Sequence, residues 1–176
     1  MKKILVTGSS GFVGKNLVQH LNGRYKVFAP AHRELELLDS EKIADYIASH
    51  DIDLIVHCAS VGGSRKTGYD IGKTDVASTN LGMFHNLAKC IKDDMLMIHL
   101  GSGAEYSRPH WKPKMPETYF GSHVPEDPYG HSKYLMSKEV EKAENIICLR
   151  IFGLYGKYED YTFKFISNAI VKNLLK

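Results

Sequence analysis

Five short, β-rich apolar runs, at residues 3–7, 26–29, 54–58, 95–100 and 146–151, alternate with segments whose apolar residues recur at helical spacing. This alternation limits the fold more than any other feature of the chain. The runs are short enough for buried strands. Between them, residues 12–21 place Val13, Leu17 and Leu21 on one stripe, and Asp39 is positioned to cap a helix over 40–49. Further helices are expected over 75–92 and 129–144. Strands that alternate with helices are joined by right-handed crossovers, which lay the strands parallel and cover both faces of the sheet. The expected class is α/β, a doubly wound parallel sheet.

A chain of 176 residues that is 43% hydrophobic can bury one substantial core, so a single compact domain is expected. In the tail, 161–176, Phe165, Ile166, Ala169, Ile170 and Leu174 recur at helical spacing and read as a core-facing helix. Residues 107–128 break the alternation. They hold five of the six prolines together with Trp111, Tyr119 and Phe120, which excludes regular helix through most of the segment. A loop of this length reads either as a lid or binding loop or as a disordered stretch.

Charge and cysteine content remove several classes of function. The 23 basic and 20 acidic residues leave a net charge of +3 with no block of like charge, too little to argue for nucleic acid. The apolar run after the two N-terminal lysines is far shorter than a signal or membrane segment, so a cytoplasmic protein is expected. Cys58, Cys90 and Cys148 lie far apart in apolar stretches and read as reduced core thiols. No close Cys or His spacing calls for a metal.

The first run leads into Thr7-Gly8-Ser9-Ser10-Gly11-Phe12-Val13-Gly14, which opens the first helix. Strand, glycine turn and helix in that order form a diphosphate cradle: the glycines permit a tight turn and close backbone approach, and the helix N-terminus supplies partial positive charge. Gly8, Ser10, Gly11, Phe12, Val13 and Gly14 are therefore candidate dinucleotide contacts. The second strand ends in Phe28-Ala29-Pro30-Ala31-His32-Arg33, with no carboxylate before Glu34. Arg33 is suited to pair with a 2′-phosphate, which favours NADP over NAD.

Tyr129-Gly130-His131-Ser132-Lys133 follows Pro128 at the start of a predicted helix, so Tyr129 and Lys133 share one helix face. A lysine there favours the ionised phenol and makes it a usable acid or base. The order of the Gly-x-x-Gly-x-x-Gly turn, Ser102, Tyr129 and Lys133 resembles the short-chain dehydrogenase/reductase superfamily. Asp53-Leu54-Ile55-Val56-His57-Cys58-Ala59-Ser60 resembles its fourth strand, Asn80 with Gly82 its central-helix asparagine, and Leu149-Arg150-Ile151-Phe152-Gly153-Leu154-Tyr155-Gly156 the segment after its sixth strand. On these stretches the chain is identified as a member of the extended NAD-dependent epimerase/dehydratase branch, with the greatest similarity to GDP-fucose synthase-like enzymes.

The resemblance implies a Rossmann-type cofactor domain over 1–160 and the beginning of a substrate-binding region over 161–176. It implies a catalytic set of Ser102, Tyr129 and Lys133, with Tyr129 exchanging a proton with a sugar hydroxyl or ketone and Lys133 holding the nicotinamide ribose. Leu37, Ala59, Ser60, Val61 and Asn80 are placed with the cofactor. The implied substrate is a nucleotide-linked sugar altered at C4 by an epimerase or a keto-sugar reductase, and two copies would pair through the central helices. Gly103 and Ala104 replace the acidic pair of the family's dehydratases, and Glu105, read as the continuation of a strand, points to the opposite face, which disfavours dehydration. Ala104 also stands where the fucose synthase-like enzymes carry a catalytic cysteine. Tyr106, Trp111 and Tyr155 are candidate contacts for a sugar ring.

Overall fold

The computed structural model describes residues 1–63 and 75–175. Its elements alternate as β1 (Lys3–Thr7), α1 (Phe12–Leu21), β2 (Lys26–Phe28), α2 (Ser40–His50), β3 (Leu54–His57), α3 (Asp75–Ala88), β4 (Leu96–Ser102), α4 (Pro128–Val140), β5 (Ile146–Ile151) and α5 (Phe165–Leu174). The strands form one sheet in the order β2-β1-β3-β4-β5, and every pairing is parallel. The doubly wound α/β expectation therefore holds.

Alternation along the strands divides the core between the two faces. Leu5, Ile55 and Met97 meet Ile43, Phe84, Leu87 and Met136 on one side, while Ile4, Val6 and Val56 meet Leu17, Val18 and Leu21 of α1 on the other. From β1 the chain steps outward to β2 and then returns to β3 on the opposite flank of β1. That reversal opens a crevice beyond the carboxyl ends of β1 and β3, the usual place for a ligand in such sheets. The strand resembling the family's fourth is the third in chain order here, and residues 34–39 form turns that bury Leu35 and Leu37.

Residues 107–127 are built around 3₁₀ turns at Arg108–His110 and Glu117–Tyr119. His110 and His123 stack at 3.7 Å, Phe120 lies 5.2 Å from the ring of Tyr134, and the Arg150 guanidinium sits 4.2 Å over Phe120. The segment thus lies against α4 and β5.

The tail corrects the sequence reading. α5 forms, but it is not core-facing: Phe165 is 83% and Leu174 78% exposed, and Ser167 is the helix residue that is buried. No described element packs over its apolar stripe, and the helix is tethered by the Ser167 hydroxyl donating to the Glu159 carboxylate. Ile147 and Leu149 on β5 are similarly half exposed.

Candidate active site

The glycine turn is built by close approach. Gly8 has φ +66°, and a Cβ there would lie 2.6 Å from the Ala59 nitrogen, so the backbone leaving β1 lies against the end of β3. The Gly11 N–H donates to the Gly8 carbonyl at 3.0 Å and closes the turn. A Cβ on Gly14 would run into the Gly8 carbonyl, so α1 sits on the turn only because that position is bare. Gly11 caps α1 without a side chain, leaving the first-turn N–H groups without a side-chain partner from that position.

A cleft of about 270 Å³ opens beside this turn. Among the sequence candidates it is lined by Gly8, Ser10, Gly11, Leu37, Ala59, Ser60 and Val61. Phe12 and Val13 face a neighbouring hollow instead, and Gly14 supports the turn from behind. Arg33 is exposed and lines neither space, whereas His32 reaches the cleft and pairs with Glu36 at 2.8 Å. Asn80 is buried and lines neither space. Its amide oxygen accepts the Val61 N–H at 2.9 Å, and its NH₂ donates to the Val61 carbonyl at 3.0 Å. Asn80 therefore fixes the backbone that forms the cleft wall.

The second hollow, about 660 Å³, contains Ser102, Tyr129 and Lys133 and adjoins the first at Cys58 and Ser60. Tyr129 is set by the opening of α4. The Asp127 side chain accepts the Gly130 N–H at 2.8 Å, and Pro128 occupies the first turn. Tyr129 lines the hollow together with Ser102 and Ser60. Burial raises its pKa above the ordinary value, while Ser102, Arg108 and Ser60 pull it down. The net direction is upward, opposite to what a lysine neighbour alone would give.

Lys133 lies one helical turn further on, is buried, and donates from Nζ to the Leu100 carbonyl at 2.8 Å. Burial lowers its pKa to about 8. Trp111 and Tyr155 line the same hollow with Phe152, but Tyr106 is buried behind it.

Several residues beside the site carry no local signal in the sequence that would mark them. Arg108 lines the hollow and pairs with Asp127, Nη1 to Oδ2, at 3.0 Å. His57 and His99 are buried beneath the strand ends with ring centroids 5.4 Å apart. Burial, with a smaller contribution from the Lys133 charge, lowers His57 to about 3 and His99 well below its usual value. Glu105 also departs from its expected setting, because β4 ends at Ser102 and Glu105 belongs to the 3₁₀ turn Gly103–Tyr106. The Ser-x-x-Glu spacing of 102–105 is the sequence signal for that capped turn.

The site thus joins a glycine-floored cleft to a hollow with a phenol, a hydroxyl and a low-pKa lysine. Such a pair of spaces can hold an extended ligand and move a proton at one end.

A sequence model described as the NAD dependent epimerase/dehydratase family matches residues 4–176. GDP-L-colitose synthase of Yersinia pseudotuberculosis is 34% identical over 110 residues, covering 60% of this chain and 35% of that protein. The structure of a GDP-D-glycero-L-gluco-heptose synthase from Campylobacter jejuni, in the presence of NADPH, superposes with a TM-score of 0.77 at 20% identity, over 99% of this chain and 53% of the other. That of dTDP-4-dehydrorhamnose reductase from Bacillus anthracis, in complex with NADP, gives 0.78 at 19% identity, over 100% and 61%. The two structural likenesses speak to the fold, and the chain spans between about a third and three fifths of the length of these relatives. Among the described residues no helix is long and apolar enough to cross a membrane.

Proposed function

Because the chain belongs to the NAD dependent epimerase/dehydratase family, we propose that its paired spaces bind NADP or NAD and a nucleotide-linked sugar, and that the site acts as an epimerase or keto-sugar reductase at C4 of that sugar. The observation that carries this reading is the junction at Cys58 and Ser60, which connects the glycine-floored cleft to the hollow holding Ser102, Tyr129 and Lys133.

The cofactor fits on the chain's own geometry. Gly8 and Gly14 are bare where a Cβ would collide with the backbone of Ala59 and of Gly8, so β1, the turn and α1 close up into the shape that a diphosphate cradle needs. Gly8, Ser10 and Gly11 would hold the diphosphate, Leu37 and Ala59 the adenosine end, and Ser60 and Val61, braced by Asn80, the passage towards nicotinamide. When bound, the cofactor supplies the hydride chemistry. Arg33, exposed next to the cleft-lining His32, is assigned to a 2′-phosphate, which makes NADP the preferred form.

Tyr129 exchanges the proton at the reacting sugar oxygen, and Ser102 donates a hydrogen bond to that oxygen. Lys133, with a pKa lowered to about 8, holds the ribose and adds positive charge beside the phenol when substrate and cofactor close the hollow. Trp111, Phe152 and Tyr155 offer apolar ring faces to a sugar. Residues 1–160 form the cofactor half, and 161–176 lead into the substrate-binding region.

The test is direct. Titration of the folded chain with NADPH and NADH, followed by nicotinamide fluorescence, is expected to show saturable binding with NADPH the tighter. Absence of binding by both would remove the proposal. Arg33→Ala is expected to weaken NADPH about tenfold and leave NADH unchanged, and an unchanged NADPH affinity would remove Arg33 from the site. In a form that turns over, Tyr129→Phe is expected to lose at least a hundredfold in kcat, in line with the usual weight of general acid–base catalysis, and to keep cofactor affinity. Wild-type turnover by that variant would reject the proton-transfer role.

A further inference from the structure

Glu105 lines neither the cleft nor the hollow, yet it is completely buried beneath them. Its carboxylate accepts from three donors: the Ser102 backbone N–H at 2.7 Å, the Ser137 hydroxyl at 2.5 Å and Arg150 Nε at 3.0 Å. The donors come from the end of β4, from α4 and from β5. The space for the carboxylate exists because residue 101 is glycine. A Cβ there would run into Glu105 Oε1 and come within 2.5 Å of Cys148 Sγ. Burying a charge in this way is strongly unfavourable unless it is paired and hydrogen-bonded, and here three donors, one of them a cation, meet the requirement.

We infer that Glu105 is a positioning residue that sets the Ser102 hydroxyl in the hollow it shares with Tyr129. The inference rests on the role proposed for Ser102 above. The turn Gly103–Tyr106 is capped reciprocally: Ser102 Oγ accepts the Ala104 N–H at 3.2 Å while Glu105 accepts the Ser102 N–H. A serine hydroxyl has one proton to give. With Oγ committed as an acceptor on the turn side, that proton is directed outward, into the hollow that Ser102 lines together with Tyr129. Glu105 fixes the backbone from which this geometry is built, and Arg150 balances its charge without entering the hollow.

Tyrosine labelled with ¹³C at Cζ gives a resonance sensitive to hydrogen bonding at each phenol, and Tyr129→Phe identifies the one that belongs to Tyr129. Ser102→Ala is expected to move that resonance. Glu105→Ala is expected to move it to the same place, and the double variant no further, because both changes act through one hydroxyl. Glu105→Gln, which can still accept the Ser102 N–H, is expected to stay near the wild-type position. A Tyr129 resonance that moves in Ser102→Ala but stays put in Glu105→Ala overturns the inference, since Glu105 would then serve stability alone. A resonance unmoved by Ser102→Ala overturns it too, because the serine would not engage the phenol.

Should Glu105→Ala fail to fold, Gly101→Ala keeps the charge but displaces the carboxylate, and it is read by the same criterion. These measurements need neither cofactor nor substrate. Failure of the NADPH titration would therefore sink the proposed function while leaving the result on Glu105 separate.

Discussion

Lys133 illustrates how a single side chain can be held against its own preference. It is buried with one neutral acceptor, the Leu100 carbonyl, and burial depresses its pKa to about 8. In the unfolded chain it returns towards 10.5. The unfolded state therefore binds more protons between those values, so stability rises as pH climbs from about 8 to 10.5 and the full penalty is present below 8. A shift of this size corresponds to about 3 kcal/mol. Lys133→Met removes the penalty and leaves one carbonyl without its donor, so it is expected to be more stable than wild type by about 2 kcal/mol at pH 7. Thermal melts across pH provide the check: the advantage should fade towards pH 10.5, and one that is constant with pH would mean the ammonium is not penalised. Stability lost for the sake of a charge in the hollow is the pattern expected where a residue is kept for chemistry.

Among the elements, the β1 turn into α1 is closely constrained. A Cβ at Gly14 collides with the Gly8 carbonyl, which is backbone and cannot swing aside. Gly14→Ala is accordingly expected to cost about 1–3 kcal/mol by overpacking and to reduce NADPH affinity at least tenfold. Calorimetry with the fluorescence titration would measure both, and an unaltered affinity would mean that the turn does not shape the site. This turn was legible in the sequence because all its information is local: three glycines at fixed spacing between a strand and a helix. The strands and α1 to α4 were legible for a similar reason, since period and capping residues such as Asp39 and Asp127 act within a few positions. Glu105 was misplaced because reading it depended on where β4 stops, and the turn that ends the strand carries its signal in Ser102 and Glu105 together. The Lys133 contact with Leu100 and the Asn80 contact with Val61 link residues 33 and 19 positions apart, respectively, through packing that no periodicity encodes. The spacing of the α5 stripe reveals an apolar face without revealing what covers it, and the helix is exposed where its pattern predicts a core contact.

At the scale of the whole molecule, the sheet register brings together two histidines that lie far apart in the sequence. His57 on β3 is the register partner of His99 on β4, and both side chains are buried between the sheet and α3. His57 shares a hydrogen bond with the Thr7 hydroxyl at 2.8 Å, whereas neither ring nitrogen of His99 has a hydrogen-bond partner among the described residues. Burial holds both neutral, with the Lys133 charge acting in the same direction. In the unfolded chain each takes up a proton near 6.5, while His57 in the fold does so only near 3. The stability they allow is thus fully present above about 6.5 and is lost as pH falls below it, for His57 down to about 3 and at about 1.4 kcal/mol per pH unit. The loss is global, because a protonated imidazole is a buried charge in the layer between the sheet and α3. His99→Leu removes one ring and its unpaired nitrogens. It is expected to be more stable by about 1 kcal/mol at pH 7 and to have about half the wild-type slope of stability between pH 6.5 and 4. Denaturant titrations at stepped pH would show this. An acid slope identical to wild type would mean that the carboxylates, and not the buried histidine pair, govern the acid limit of the fold.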